Sequence, residues 1–407
     1  MKVLHLISQH PEQTGSGFYV QNMIKHCIAL GHKSHLIAGI SGDKTPELPS
    51  LAASECTFIP FEKDELNFTI PGMSDVMPYP SSTFSSLTEQ QLANYSKAFG
   101  RTISEVVKRF SPDVIHSHHL WLATVAARKT CPDLPMVTSC HSTDIRQYLQ
   151  NKHLRTRLSG IGQIERILAL SKTQRDHIAQ VHGVTYEQID VVGGGYDTDL
   201  FGPGEKQKEL PLQFVYAGKL SMAKGVPMLL QAMALVNDSR IHLHLVGSGA
   251  GEESKQCLKL AAELTSKITV HGAVSQENLA TLMRKAHVFV LPSFFEGLPL
   301  VLLEALSSGC RIICSDLPGC RDLLKHGDPD IVDFVKLPYM VDVDTPAPDQ
   351  IDVFIKRIAG SLKEMADRAM INPNPSSQNA KQITESYSWH SVFSRVEKAY
   401  KDVCKIT

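Results

Sequence analysis

The sequence predicts an α/β fold made of two doubly wound halves, each with parallel strands that alternate with helices. Short apolar runs that suit buried strands recur along residues 3–169 and again along residues 214–314, with helical patterns between several of them. A glycine-rich stretch at residues 191–195, followed by Gly202-Pro203-Gly204, separates the two series. The length of 407 residues is ample for two domains of ordinary size.

Each half contributes its own series of predicted strands. The first series lies at residues 3–7, 35–40, 56–59, 114–116, 136–139 and 166–169. The second series lies at residues 214–217, 241–246, 268–270, 287–291 and 311–314. Ligands of open parallel sheets bind at the carboxyl ends of the strands, and pockets favour domain interfaces. We therefore expect a ligand cleft between the two halves.

The domain boundaries follow from this pattern. We expect an N-terminal domain over residues 1–195 and a C-terminal domain over residues 205–380. A last amphipathic helix, predicted over residues 388–407, lies far beyond the second series of strands. We expect this helix to pack back on the first domain.

Composition and charge exclude several classes of protein. Lysine and arginine number 41 against 42 aspartate and glutamate, so no overall field attracts nucleic acid. The nine cysteines form no Cys-x-x-Cys pair, which argues against a disulfide framework or a zinc site and fits a reducing compartment. The apolar run at residues 3–7 is too short for a signal peptide, and no run approaches the ~18 residues of a membrane span. We expect a cytoplasmic protein whose membrane contact, at the inner surface, would be peripheral.

The most informative stretch is residues 294–309, Phe-Phe-Glu-Gly-Leu-Pro-Leu-Val-Leu-Leu-Glu-Ala-Leu-Ser-Ser-Gly, which follows a predicted strand. Pro299 suits the first turn of a helix, and Gly309 suits its left-handed C-terminal position. The unpaired N–H groups at the start of such a helix suit a phosphate. Glu296 before the helix and Glu304 in its second turn suit a ligand rich in hydroxyl groups. The plain alternative is a turn glutamate and a solvated helix glutamate.

Glycines and lysines follow other predicted strands. Gly15 and Gly17 allow a ligand to approach the backbone, although a tight turn also explains them. Lys219 and Lys224 lie at a strand-to-helix turn and can converge on a diphosphate, unless they are ordinary exposed lysines. The glycines of residues 246–251 lack the third correctly spaced glycine of a nicotinamide fingerprint.

Three further segments are less specific. Histidine clusters at residues 116–119 and 140–144 follow predicted strands, but the sequence supplies neither the third ligand nor the geometry that a metal requires. Residues 61–87 form a long irregular segment that is either a binding element or an insertion. Residues 146–175 are locally basic and form either a solvated face or a patch for an anionic acceptor or lipid headgroups.

Taken together, these residues resemble the retaining GT-B glycosyltransferases of family 4, over nearly the whole chain. Glu296 and Glu304 match the family's Glu-x7-Glu motif within its usual context. Lys219 stands where the family usually has arginine, which removes a planar fork of donors. Four other segments are similar to the family's glycine loop, its Thr-x-His-x-x-Asp segment, its Gly-Arg-Leu…Lys-Gly segment and its second C-domain turn, at residues 15–17, 138–144, 218–225 and 245–249.

The resemblance implies a GT-B fold, in which two Rossmann-like domains face each other across a cleft, and a role for each matching residue. Glu304 should bind the ribose hydroxyls, and Glu296 should hold hydroxyls of the transferred sugar. Lys219 and Lys224 should stabilise the departing diphosphate, and His141 should touch the sugar. The other implied substrate-binding residues are Gly15, Gly17, Asp144, Gly247, Gly297, Leu298 and Pro299.

The implied activity is retaining transfer of a hexosyl-type sugar from a nucleoside-diphosphate sugar, which we expect to be UDP-linked, with no metal and no cofactor. A nucleotide-sugar epimerase or phosphorylase of the same fold, or a non-catalytic sugar-nucleotide-binding protein, are the alternatives. The acceptor is a small molecule, a glycan or a lipid-linked molecule that the sequence does not identify. Asp342-Val343-Asp344 spells the Asp-x-Asp motif of metal-dependent transferases, but so short a motif recurs by chance, as at Asp197-Thr198-Asp199.

Overall fold

A computed structural model describes residues 1–12, 14–42, 45–75, 77–249, 251–264, 267–324 and 326–406. Residue 76 of the predicted irregular segment, residue 250 of the glycine-rich turn and residue 407 of the last predicted helix lie outside the described residues. The chain divides into two compact units. Unit 1 contains Met1–Gly194 and the chain from Trp389 onward, and unit 2 contains Gly195–Ser388.

Unit 1 is built on a parallel sheet of seven strands. The strands of the unit are β1 (Lys2–Ile7), β2 (Lys33–Ser41), β3 (Cys56–Phe61), β4 (Pro71–Gly72), β5 (Ser82–Thr83), β6 (Val114–His118), β7 (Met136–Ser139), β8 (Arg166–Ala169) and β9 (Ile189–Val191). Its helices are α1 (Gly15–Ala29), α2 (Glu89–Phe110), α3 (Leu122–Thr130), α4 (Ser142–Gln150) and α5 (Lys172–His182). The sheet order is β3-β2-β1-β6-β7-β8-β9, while β4 and β5 pair separately. Strands β1 and β6 are buried along nearly their whole length, as helices on both faces of a parallel sheet require.

Unit 2 is built on a parallel sheet of six strands. Its strands are β10 (Leu212–Ala217), β11 (Ile241–Val246), β12 (Ile268–Gly272), β13 (Val288–Leu291), β14 (Arg311–Ser315), β15 (Val332–Val335), β16 (Met340–Asp342) and β17 (Thr345–Pro346). Its helices are α6 (Val226–Val236), α7 (Gly251–Ala262), α8 (Gln276–Lys285), α9 (Val301–Ser307), α10 (Pro318–Leu324), α11 (Ile351–Ile371) and α12 (Gln378–Ser386). The sheet order is β12-β11-β10-β13-β14-β15, and β16 pairs with β17 apart from it. The strand order therefore reverses between β10 and β13, where doubly wound sheets bind ligands.

The last helix, α13 (Trp389–Cys404), belongs to unit 1. Its buried residues recur every three or four positions and form one apolar stripe against α1 and the sheet. The stripe contains Trp389, Val392, Phe393, Val396, Ala399 and Tyr400. None of the described helices combines the length and the apolar character that crossing a membrane requires.

These two parallel-sheet units confirm the predicted α/β fold class. Two strands of the large sheets were missed, β9 and β15, because each is only three or four residues long and carries one aspartate between apolar residues. The short paired strands β4, β5, β16 and β17 were also not predicted. The irregular segment at residues 61–87 contributes apolar side chains to the core of unit 1. The buried members are Phe61, Leu66, Phe68, Ile70, Met73, Phe84 and Leu87.

Lys206 is a buried cation that ties the start of unit 2 to its helices. Its side chain is 3% exposed, and its ammonium donates to the carbonyls of Met283, Arg284 and Ser308 at 3.4, 3.1 and 2.9 Å. These carbonyls lie at the C-terminal ends of α8 and α9, where a positive charge is favourable.

We predict that Lys206→Met destabilises unit 2 by about 2–3 kcal/mol, because three buried carbonyls lose their donor. Denaturant unfolding measures the change. The exposed neighbour Lys208 gives the matched control, and Lys208→Met should change the free energy of unfolding by less than about 0.5 kcal/mol. Equal effects of the two substitutions would contradict the assigned role of Lys206.

Candidate active site

Close backbone packing shapes the loops at the carboxyl ends of the strands of unit 2. Gly225, just before α6, has a φ of +67°, and a Cβ there would lie 2.0 Å from the carbonyl oxygen of Pro292. Gly247, just after β11, has a φ of +131°, and its Cβ would lie 1.8 Å from the carbonyl oxygen of Gly218. Only glycine fits at these two positions. The loops after β10, β11 and β13 are therefore held together through backbone contacts.

An ion pair lies among these loops. The ammonium of Lys224 donates to Oε1 of Glu296 at 2.7 Å, and the hydroxyl of Ser293 donates to the same oxygen at 2.6 Å. The side chains of Lys224 and Glu296 are 31% and 13% exposed. Two residues that the sequence analysis assigned to different parts of a ligand are thus in direct contact. The pair places a cation and a carboxylate at the switch point of the sheet.

Helix α9 begins later than predicted. Pro299 precedes the helix, which starts at Val301, and the carbonyl of Pro299 accepts the N–H of Leu302 at 3.0 Å. Glu304 consequently lies in the first helical turn, so the prediction of the second turn was wrong. Gly309 has a φ of +80°, which agrees with its predicted left-handed position. The later start brings Glu304 nearer to the N-terminus of the helix, where the N–H groups of Leu303 and Glu304 both bond to the carbonyl of Leu300.

The carboxyl of Glu304 has no hydrogen bond or ion pair within the described part of the chain. Burial raises its pKa to about 7. Such a carboxyl is poised to accept hydrogen bonds from a ligand, since no described group satisfies it.

Other predicted residues of unit 2 lie in the loops after β10 and β13, on which Lys224 and Glu296 also lie. Lys219 is exposed, and its carbonyl oxygen accepts the hydroxyl of Tyr216 at 2.8 Å. Gly297 and Leu298 lie in the loop between Glu296 and α9. A Cβ on Gly319 of α10 would lie 2.3 Å from the carbonyl oxygen of Gly297, so α10 packs directly on this loop.

In unit 1, the N-terminus of α1 is already capped. The N–H of Gly17, an implied substrate-binding residue, donates to Oγ1 of Thr14 at 3.0 Å, so this amide already has a partner within the chain. A Cβ on Gly17 would lie 2.9 Å from the carbonyl of Pro11, so glycine is required there by packing. A Cβ on Gly15 would meet no atom within 4 Å.

Asp144 organises the ends of β6 and β7. Its fully buried carboxylate accepts Nδ1 of His119 at 2.7 Å, the N–H of Leu120 at 2.8 Å and the N–H of His141 at 2.9 Å. Burial by itself would raise the pKa of Asp144, but the charge and hydrogen bond of His119 outweigh it and lower the pKa. Asp144 therefore positions two histidines and has little capacity left for a ligand, in contrast to its predicted substrate contact.

His141 keeps one ring nitrogen free. Its Nε2 is buried and has no hydrogen-bond partner among the residues described. The ring lies 4.9 Å from the ring of His119 and packs edge-on at 5.2 Å from Tyr19. Burial, together with the nearby charge of His119, lowers the pKa of His141 to about 3. The imidazole is therefore neutral at physiological pH, and Nε2 can bond to a hydroxyl group.

A third histidine joins the first predicted histidine cluster. His5 of β1 lies opposite His116 of β6, and nitrogens of His5, His116 and His118 lie within 4.8 Å of one another. His5 is more than 100 residues from His116 in the sequence, so the sequence alone did not reveal it as a third possible metal ligand. His116 uses both nitrogens on hydroxyl groups, those of Tyr400 at 2.6 Å and Ser139 at 2.8 Å. Hydrogen bonding thus accounts for His116 without a metal.

The basic stretch at residues 146–175 is largely paired with acidic groups. Arg146 bonds to Asp75 at 2.7 Å, and Arg157 bonds to Glu89. Arg155 donates to the carbonyl of Tyr148 at 3.0 Å and lies over its ring. These contacts favour a solvated face over an anion-binding patch.

Two family models match consecutive parts of the chain. The glycosyltransferase family 4 model matches residues 14–200, and the model of glycosyl transferases group 1 matches residues 201–335. A D-inositol 3-phosphate glycosyltransferase of Pseudarthrobacter chlorophenolicus is 27% identical over 55% of this chain, and the match spans 60% of that relative. An MMP alpha-(1->4)-mannosyltransferase of Mycolicibacterium hassiacum is 25% identical over 95% of this chain and 94% of its own.

Solved structures share the fold over nearly the full length. The lipopolysaccharide outer core galactosyltransferase WaaB has a TM-score of 0.63 at 18% identity and covers 98% of this chain and 99% of its own. Anabaena HepE, solved with UDP and glucose, has a TM-score of 0.64 at 16% identity and covers 99% of this chain and 100% of its own. From the two consecutive family matches and this shared GT-B fold we conclude that the chain belongs to the glycosyltransferases of family 4.

Proposed function

We propose that this protein transfers a hexosyl group from a UDP-linked sugar to an acceptor, with retention of anomeric configuration and without a metal ion. The observation that supports this most is the half-buried Lys224–Glu296 pair at the same strand ends as the unpartnered carboxyl of Glu304. Cation, carboxylate and free hydrogen-bond acceptor are the three groups that a nucleotide sugar requires.

The chemistry of transfer explains this combination. Positive charge develops at the anomeric carbon, and negative charge develops on the leaving diphosphate. Lys224 has three N–H donors, so it can contact a phosphate oxygen while it remains bonded to Glu296. Exposed Lys219 adds a second cation, and these two charges take the place of a divalent ion at the diphosphate.

Each of the two carboxylates is assigned to one of the two sugars of the donor. We assign the ribose hydroxyls to Glu304, because its carboxyl has no partner among the residues that the structure describes, and hydroxyls of the transferred sugar to Glu296. In unit 1, the free Nε2 of neutral His141 is proposed to bond to a substrate hydroxyl. Uridine is proposed as the base because Anabaena HepE has been solved with UDP and with UDP-glucose. The acceptors of the named relatives are not transferred to this chain.

Incubation with UDP-glucose, UDP-galactose and GDP-mannose in EDTA tests the function. We expect slow hydrolysis of one UDP-sugar, with the anomeric configuration retained when proton NMR follows the released sugar. A change of configuration at a sugar carbon other than the anomeric carbon would indicate an epimerase. A requirement for inorganic phosphate would indicate a phosphorylase. Binding of UDP with no donor turnover would indicate a non-catalytic protein.

The titration of Glu304 gives a pH prediction. Hydrogen bonds from the ribose hydroxyls require the ionised carboxylate, and its pKa is raised to about 7 in the free protein. Affinity for UDP-glucose should therefore be constant above about pH 8 and fall roughly tenfold per pH unit as the pH drops below 7. UDP-glucose is the ligand for this calorimetric titration because its diphosphate, esterified at both ends, does not titrate near pH 6.

Glu304→Gln is the matched control for that titration. It keeps the shape of the side chain but replaces the carboxyl with an amide, which cannot ionise. We expect the variant to lose the pH dependence and to bind roughly 10- to 100-fold more weakly at pH 8, through loss of the charge-assisted bonds. An unchanged pH profile in Glu304→Gln would show that another group is responsible.

Lys224 should act mainly on the chemical step. We predict that Lys224→Ala lowers kcat by roughly 10²–10³-fold and raises KM much less, because the charge on the leaving group is greatest in the transition state. Donor hydrolysis under initial-rate conditions measures both constants. Lys219→Arg, which restores the family's usual residue, should retain activity, and a rise in KM alone in Lys224→Ala would contradict the assignment.

A further inference from the structure

Arg311 is a buried guanidinium that forms no salt bridge with any acidic group of the described residues. It is the first residue of β14 and is 3% exposed. Its Nε donates to the carbonyl of Asp330 and its Nη2 to the carbonyl of Arg368, both at 3.2 Å. Its Nη1 is buried and has no partner among the described residues. Buried charges in proteins are normally paired, so this charge is an exception that needs an explanation.

Arg311 lines a cavity of about 290 Å³. Such a volume lies at the lower end of the range for small-molecule sites. The cavity is also lined by polar Asp328, Asp330, Arg368, Asn372 and Ser376 and by apolar Ile331, Ile371 and Pro375.

The acidic groups nearby are already engaged elsewhere. The carboxylate of Asp330 is 85% exposed and lies 3.9 Å from Arg368, which also bonds to Glu364. Oδ1 of Asp328 accepts the N–H of Asp330 at 2.9 Å. Burial, and then repulsion from Arg368, lowers the pKa of the Arg311 guanidinium, and attraction by Asp330 offsets part of this lowering. The described acidic groups therefore compensate the positive charge of Arg311 only in part.

We propose that this cavity binds a small ligand through its oxyanion group, a carboxylate or a phosphate, with Arg311 as the counter-ion. Ile371, which is 86% exposed, and Pro375 provide apolar surface for a short hydrocarbon part of the ligand. An oxyanion accepts the free N–H of Arg311 and supplies the missing charge.

The cavity is separate from the candidate active site. It lies where β14 and β15 begin, whereas Lys224, Glu296 and Glu304 lie where the strands of the same parallel sheet end. A strand of five residues spans about 16 Å. The ligand is therefore not the sugar donor, so the proposal stands independently of the proposed function.

Thermal unfolding with inorganic phosphate and with succinate, each at constant ionic strength, tests the proposal. The background is a Lys219→Ala/Lys224→Ala variant, in which the cations of the candidate active site are removed. Saturation with at least one probe, at about 100 times its Kd, should raise Tm by roughly 5 °C. A shift with phosphate alone identifies a phosphate-bearing ligand, and a shift with succinate alone identifies a carboxylate.

Two variants connect the shift to the cavity. Arg311→Met should abolish it, whereas Arg321→Met, at an exposed arginine paired with Asp316, should leave it intact. Ser376→Trp fills the cavity from its exposed rim and should also abolish the shift, which keeps the test valid if Arg311→Met does not fold. The absence of a shift with both probes, or an undiminished shift in Ser376→Trp, would overturn the proposal.

Discussion

The ion pair between Lys224 and Glu296 is the interaction on which the candidate active site depends. It joins the loop after β10 to the loop after β13, on the two sides of the switch point of the sheet. The side chains meet because the backbone of Gly225 lies against the carbonyl of Pro292, an approach that any Cβ would block. The cation and the carboxylate are therefore in place before a ligand arrives, so little reorganisation is required when charge separates during transfer.

Unit 1 uses a buried carboxylate in a different way. Asp144 receives four hydrogen bonds and fixes the orientation of His119 and His141, while Nε2 of His141 has no partner among the described residues. In unit 2 the opposite holds for Glu304, whose carboxyl is itself unsatisfied and whose pKa is raised by burial. Asp144 and Glu304 both carry a carboxyl group, but Asp144 positions other residues whereas Glu304 is available to a ligand.

Patterns local in sequence predicted much of the fold and the candidate site. Alternating apolar runs identified most strands, and Gly309 was correctly placed in a left-handed turn. Contacts between distant residues were not predictable, because a single sequence does not reveal register. His5 joined His116 only through the pairing of β1 with β6. Glu304 was predicted in the second turn of α9 but lies in the first. The prediction failed because proline is tolerated before a helix as well as in its first turn.

The central claim is that unit 2 holds a nucleotide sugar through Glu304, Glu296 and the two lysines. A crystal structure with UDP, grown in the presence of EDTA, tests it most directly. We expect the ribose hydroxyls within about 2.6–3.2 Å of the Glu304 carboxylate, and the diphosphate in contact with Lys224. A nucleotide bound elsewhere, or a ribose that leaves the Glu304 carboxyl without a partner, would contradict it.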